Sequence, residues 1–172
     1  RETLAARILA HLADPAQAAR LRAYAEMNHE ELRWFIMLVL EVLRTAVRTR
    51  DRQLLRRYAQ VVAFQRRRAG FTCEQVVDFL TAAGRLVTDA LRARPDLAGM
   101  EQPIHDHVTL GFQLAADGVE DVFDAQDLPP IAGFSRELPT TSAMLDDFVR
   151  ELQDVAGDVL PVSAASWDDA GA

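Results

Sequence analysis

The chain has 172 residues, 49% of them hydrophobic and 26% charged, enough for one domain with a sizeable core and too apolar for a disordered segment. Its longest apolar run, Trp34 to Leu40, falls far short of the roughly 20 residues that span a bilayer, and the N-terminus lacks the basic start, apolar segment and cleavage site of a signal peptide. The net charge is −7, all 19 basic residues are arginine, and the single cysteine, Cys73, excludes an internal disulfide and agrees with a reducing, cytoplasmic setting.

Glu2 to Leu12 reads as a first helix, with Leu4, Ile8 and Leu12 on one side. Asp14-Pro15 is a restart signal, with Asp as N-cap and Pro at the first helical position, and the pattern continues through Leu21 and Tyr24 towards Asn28. Asn28 followed by Glu30 and Glu31 is a second cap with acids in the first turn; the chain either bends there or runs on as one long helix. From Glu31 to Arg48 apolar residues crowd every face, which predicts a helix central to a bundle or to a subunit interface.

Asp51 caps the next predicted helix, which runs through Leu54, Leu55, Tyr58, Val61, Val62 and Phe64 to Arg68. Gly70 stands where a left-handed residue ends a helix, and Thr72 with Gln75 forms an S/T-x-x-E/Q capping box. Gly70 and Thr72 therefore mark a tight corner. The helix opened there carries Val76, Phe79, Leu80 and Val87 and stops before Pro95; Pro103 starts another, running to Phe123. Thr141 or Ser142 caps a last amphipathic helix with Leu145, Phe148, Val149, Leu152, Val155 and Leu160, ended by Pro161.

The expected fold is all-α, a bundle of five to seven amphipathic helices. Residues 1–125 form its helical domain, 126–140 a linker containing Pro and Gly, 141–160 a C-terminal connector or dimer helix, and 161–172 a flexible tail. The chain opens on Arg1 rather than Met, which points to a piece of a longer protein.

Charge is divided along the chain: residues 1–70 hold 14 arginines against 7 acids, residues 71–172 hold 5 against 19. Either this makes a bipolar surface suited to self-association, or the basic helices lie against the acidic ones inside the fold. The run Arg44 to Arg68 has the charge for nucleic acid. Its spacing at 44, 48, 52 and 56 is that of a solvated or partner-facing helix stripe, no reader motif accompanies it, and no nucleic-acid partner is expected.

The other chemical candidates are few. His105 and His107, two residues apart, diverge on a helix and do not share a metal there; no metal site is expected. His11 or His105 is the candidate axial ligand if the domain holds haem. Asn28-His29-Glu30-Glu31-Leu32-Arg33 loosely matches a phospho-accepting histidine box, with an extra Glu and with Trp34-Phe35 in place of Thr-Pro. Cys73 follows the Thr72 cap, where a helix N-terminus lowers a thiol pKa; packing is the alternative role. Trp34, Phe64, Phe79 and Phe112 are candidates to line a small apolar pocket or simply to fill the core. No phosphate loop, nucleophile elbow or H-E-x-x-H pattern occurs, and the chain is expected not to be an enzyme.

The stretch from Arg66 to Leu80 (RRRAGFTCEQVVDFL) resembles the R-x-x-x-G-[FV]-[ST]-x-x-x-[LV] corner in the N-terminal domains of RsbR-type stressosome proteins and related bacterial regulators, particularly the RsbRD-like group. Arg66 matches the family's arginine, Gly70 its glycine and Thr72 its Ser/Thr cap. Over residues 5–125 the likeness extends only to helix order, and residues 125–172 have no counterpart. The resemblance implies a globin-like bundle that has lost haem and holds no cofactor. It also implies a homodimeric sensor that hands a stress signal to an output domain, such as a STAS, kinase or DNA-binding domain. A haem- or small-ligand-binding sensor, and a phospho-accepting bundle using His29, are the alternatives.

Overall fold

The computed structural model of the chain describes residues 2–18, 20–97, 99, 101–125 and 137–155. Every regular element among them is helical: α1 (Glu2–Leu12), α2 (Pro15–Ala18), α3 (Arg22–Ala25), α4 (His29–Thr49), α5 (Arg52–Arg68), α6 (Cys73–Arg92), a 3-10 turn (Pro95–Leu97), α7 (Glu101–Asp124) and α8 (Ser142–Asp154). Among the described residues no helix is long and apolar enough to cross a membrane.

α1 buries Ala5, Ile8 and Leu12, an i, i+3, i+7 stripe. Asp14 Oδ1 accepts from the Ala16 N–H at 2.9 Å, with Pro15 opening the turn as the dipeptide requires. The pattern expected to continue from there to Asn28 is broken into the single turns α2 and α3. Helices this short have little stability of their own, so tertiary contact sets the direction of the chain. Leu21 and Tyr24 point inward, fully buried, while the Arg20 guanidinium reaches Asp78 on α6.

At Asn28 the local chemistry ends the ambiguity between bend and continuous helix. Its Oδ1 accepts from the Glu30 N–H at 2.9 Å and the Glu31 N–H at 3.4 Å, so α4 starts afresh. α4 is buried on most of its surface, with Glu41 and Thr45 enclosed beside Leu38, Val39 and Val42. Asp51 then accepts from the Gln53 and Leu54 N–H groups and starts α5.

α5 shares the centre with α4: it packs most extensively on α7 and also touches α4, α6 and α8. Leu54, Leu55, Tyr58, Val61 and Val62 on it are at most 1% exposed, and each such side chain contributes about 1.5–3 kcal/mol on burial. α7 comes close to α5 at Gly118, where a Cβ would stand 2.9 Å from Arg56 Cγ and 3.2 Å from the Arg56 carbonyl oxygen. A side chain there would push the axes apart. α7 begins at Glu101, two residues before the expected start at Pro103. A proline within the first turn takes no hydrogen bond from the helix, since the first N–H groups have no intrahelical acceptor.

The C-terminal segment returns to the bundle. Trp34 Nε1 donates to the Pro139 carbonyl at 2.8 Å, and Arg57 donates to the Leu152 carbonyl at 3.1 Å. Phe148, Val149 and Leu152 are buried, with Phe148 edge-on to Tyr58 at 6.3 Å. The apolar face of α8 considered for a dimer is thus occupied within the chain. Thr141 holds the N-cap position without a side-chain bond, and α8 ends at Asp154. Leu160 and Pro161, most of the 126–140 linker and the 161–172 tail lie outside the described residues.

Candidate functional site

The α5–α6 corner forms as its residues predict. Gly70 takes φ 85°, the Phe71 N–H donates to the Arg66 carbonyl at 3.0 Å and the Gly70 N–H to the Arg67 carbonyl at 3.1 Å. This pair of bonds is the Schellman arrangement, and it needs the left-handed residue that glycine supplies. On the other side of the corner the Gln75 N–H donates to Thr72 Oγ1 at 3.3 Å and the Thr72 N–H to Gln75 Oε1 at 2.9 Å, a complete capping box.

Arg66, the other residue of the motif, is 9% exposed, and its guanidinium lies among aromatic rings. The guanidinium carbon is 4.7 Å from the Phe35 ring centre, 5.1 Å from Phe71 and 5.6 Å from Tyr24. Phe79 closes the cluster, stacked on Tyr24 at 4.5 Å and tilted against Phe35 at 5.1 Å. The only carboxylate paired with it among the described residues is Glu31, 3.9 Å away and itself largely exposed. The charge is therefore held chiefly by ring faces, each worth roughly 0.5–1 kcal/mol or more once water is excluded.

Two buried hydroxyls stand near this charge. Burial pushes the Tyr24 pKa well up, against the opposing pull of the Arg66 charge, and does the same to Tyr58. Tyr58 also touches Phe148, so the interior near the cage adjoins α8. Phe71 stands at the motif's [FV] position, but Tyr24 and Phe35 escape the motif, although a signal exists: Arg66 follows Tyr58 and Val62 on the buried stripe of α5 at four-residue steps.

The four aromatic residues considered for a pocket are not brought into one. Phe79 belongs to the cage, Phe64 lies under the Arg68 guanidinium at 5.7 Å, Trp34 lines an open groove with Glu30, Arg33 and Met37, and Phe112 lines another between α6 and α7.

The histidines take separate positions. His107 accepts from Arg52 Nε on Nδ1 at 3.2 Å and donates from Nε2 to the Ala46 carbonyl at 3.2 Å, which fixes its tautomer. His105 Nε2 accepts from Arg92 at 2.7 Å. His29 is exposed at the first residue of α4, and His11 lines a cleft against α6. Among the described residues no three His, Cys, Asp or Glu side chains are grouped to hold a metal.

Cys73 differs from the lowered thiol considered for a helix start. Burial first, then the Glu120 and Asp124 carboxylates of α7, push its pKa up.

The arginine stripe of α5 is spent inside the chain. Arg56 pairs with Asp121 at 2.7 Å, and Arg67 donates to the Val122 and Ala125 carbonyls at 2.7 and 2.8 Å. At these positions the basic helix lies against the acidic one, the second of the two charge arrangements open from the sequence. No family model matches the chain, nor does any curated protein or solved structure.

Proposed function

We propose that the chain is a non-catalytic bacterial input domain of the RsbR-type stressosome kind. In this proposal its bundle is globin-like, works without a cofactor, pairs with a second copy in the cytoplasm and passes its state to an output domain. The observation that supports the reading is the connection between the motif arginine and the terminal helix. Arg66 sits in its aromatic cage, Tyr58 lies near that charge on the same helix, and Tyr58 meets Phe148 of α8. One residue before Tyr58, Arg57 grips the Leu152 carbonyl. A change at the cage would then act on Tyr58 through the Arg66 charge and on α8 through the Tyr58–Phe148 ring contact.

Hydrogen exchange tests this. Arg66→Lys removes the planar cation that stacks on three rings, and the amides of Ser142–Asp154 are expected to exchange about tenfold faster in the variant, equivalent to about 1.4 kcal/mol. Unchanged exchange in α8, with exchange altered at the cage itself, sinks the reading. Light scattering tests the pairing: a monomer at high concentration removes the homodimer from the proposal.

A further inference from the structure

A cleft of about 250 Å³ lies between α6 and the segment formed by α1 and the α2–α3 turn. Its volume equals roughly eight waters of bulk liquid, below the size of a drug-like site and suited to a small metabolite. One end is tied by the Arg20 guanidinium, which holds Asp78 through both carboxylate oxygens at 3.1 and 2.6 Å. This two-pronged pair sets the width of the cleft, because Arg20 stands on the turn and Asp78 on α6.

The polar groups in the wall are unequal in what remains to them. Asp78 is occupied by Arg20, while Asp89 stands 3.9 Å from Arg92 with more than half of its side chain exposed. Arg85, Thr81 and His11 can donate into the cleft. Arg85 is exposed and makes no side-chain hydrogen bond or ion pair among the described residues. Thr81 stands one turn before it. The Thr88 and Thr49 hydroxyls bond back to helix carbonyls, whereas that of Thr81 makes no such bond. His11 faces the same space from the last turn of α1. Leu21, Ala82 and Leu86 supply apolar wall beside them.

We infer that this cleft binds a small aliphatic carboxylate, with the carboxylate on Arg85 and Thr81 and the aliphatic body against Leu21 and Leu86. A guanidinium matches a carboxylate through two parallel N–H donors, and a threonine hydroxyl one turn away adds a third. The Asp78 and Asp89 carboxylates in the same wall disfavour a more highly charged anion. The site is local to α1, the α2–α3 turn and α6, and no residue of α8 lines it.

Titration calorimetry or NMR on the 172-residue chain tests it with butanoate, succinate, inorganic phosphate and butylammonium. Butanoate is expected to saturate the site with a Kd of about 1 mM or tighter. Arg85→Gln is expected to weaken it about tenfold and Thr81→Val about threefold. Arg48→Gln removes the same charge from the far end of α4 and is expected to change nothing. Arg85 and Thr81 are exposed and make no side-chain bond among the described residues, so their variants keep the fold, which thermal melting checks. The inference is overturned if butanoate does not saturate, if succinate, phosphate or butylammonium binds as tightly as butanoate, or if Arg48→Gln and Arg85→Gln weaken binding alike.

Discussion

Two corners of this bundle share one helix-ending plan and differ in the left-handed residue, in the distance to the next cap and in the brace. At the α4–α5 corner the Asp51 N–H donates to the Ala46 carbonyl at 3.0 Å and the Arg50 N–H to the Val47 carbonyl at 3.3 Å, with Asp51 then capping α5. At the α5–α6 corner Phe71 and Gly70 repeat the pair of bonds, and the cap, Thr72, follows one residue later. The left-handed position is glycine in the second and Arg50, at φ 58°, in the first. The hydrogen-bond pattern and the following cap are thus strong enough to hold an arginine where its Cβ is strained. Each corner also has an arginine brace. Arg57 reaches Asp51 Oδ2 at 3.3 Å, and Arg66 is enclosed by Tyr24, Phe35 and Phe71. A part-buried ion pair holds one corner, a ring-enclosed cation the other.

The largest break in this symmetry lies in the braces. Arg66→Ala is expected to cost about 3 kcal/mol in urea unfolding, from lost ring contacts and the space left behind. A loss below about 1 kcal/mol would make the cage incidental to the corner.

Alkaline pH acts on Tyr24 in the cage and on Tyr58 beside α8. Burial raises the folded-state pKa of Tyr24 and Tyr58, the chain's two tyrosines. The stability that their neutral hydroxyls contribute is complete below the ordinary tyrosine pKa near 10 and is lost as pH rises from there towards the raised folded value. Unfolding free energy is therefore expected to fall above about pH 10 by about 1.4 kcal/mol per pH unit for each tyrosine. Tyr58→Phe should halve that slope in denaturant melts taken across the range.

The corner residues come next. Gly70→Ala is expected to cost about 1–2 kcal/mol, although a Cβ at Gly70 meets nothing within 4 Å. The penalty is conformational, and calorimetric melts of Gly70→Asn, which tolerates the left-handed region better, should recover part of it. Asp51→Ala removes the cap and the Arg57 partner together and is expected to cost about 1 kcal/mol by chemical denaturation. The smallest effect has the opposite sign. Arg50→Gly is expected to stabilise by about 0.5 kcal/mol, seen as a higher thermal midpoint, because relief of the left-handed strain outweighs glycine's extra freedom when unfolded.

Legibility followed the range of the physics. Asp14-Pro15, Asn28, Asp51, Gly70 and Thr72-Gln75 were readable because a cap is completed within three or four residues of itself. The Arg66 cage was half readable. Its register on the buried stripe of α5 follows from spacing, but its rings arrive from α3, α4 and the corner. The carboxylate cleft was not readable, since Arg20 and Asp78 lie 58 positions apart and no local pattern links them to His11 or Arg85. The Arg44–Arg68 run resembles a solvated stripe for the same reason: Asp121, Val122 and Ala125 turn several of its arginines inward, and they belong to α7.

The all-α class, the main helix starts and the two corners follow from the sequence unaided, because helix periodicity and capping are short-range and each residue type there has few alternatives. Tertiary structure alone decided that α2 and α3 would be single turns, that α8 would bury its face on Tyr58, and that Cys73 would meet the acids of α7. Those outcomes depend on which surfaces remain uncovered once α4, α5 and α7 have packed, and on charges brought together across long stretches of chain. Burial and electrostatics act through space and leave no periodic trace along the sequence.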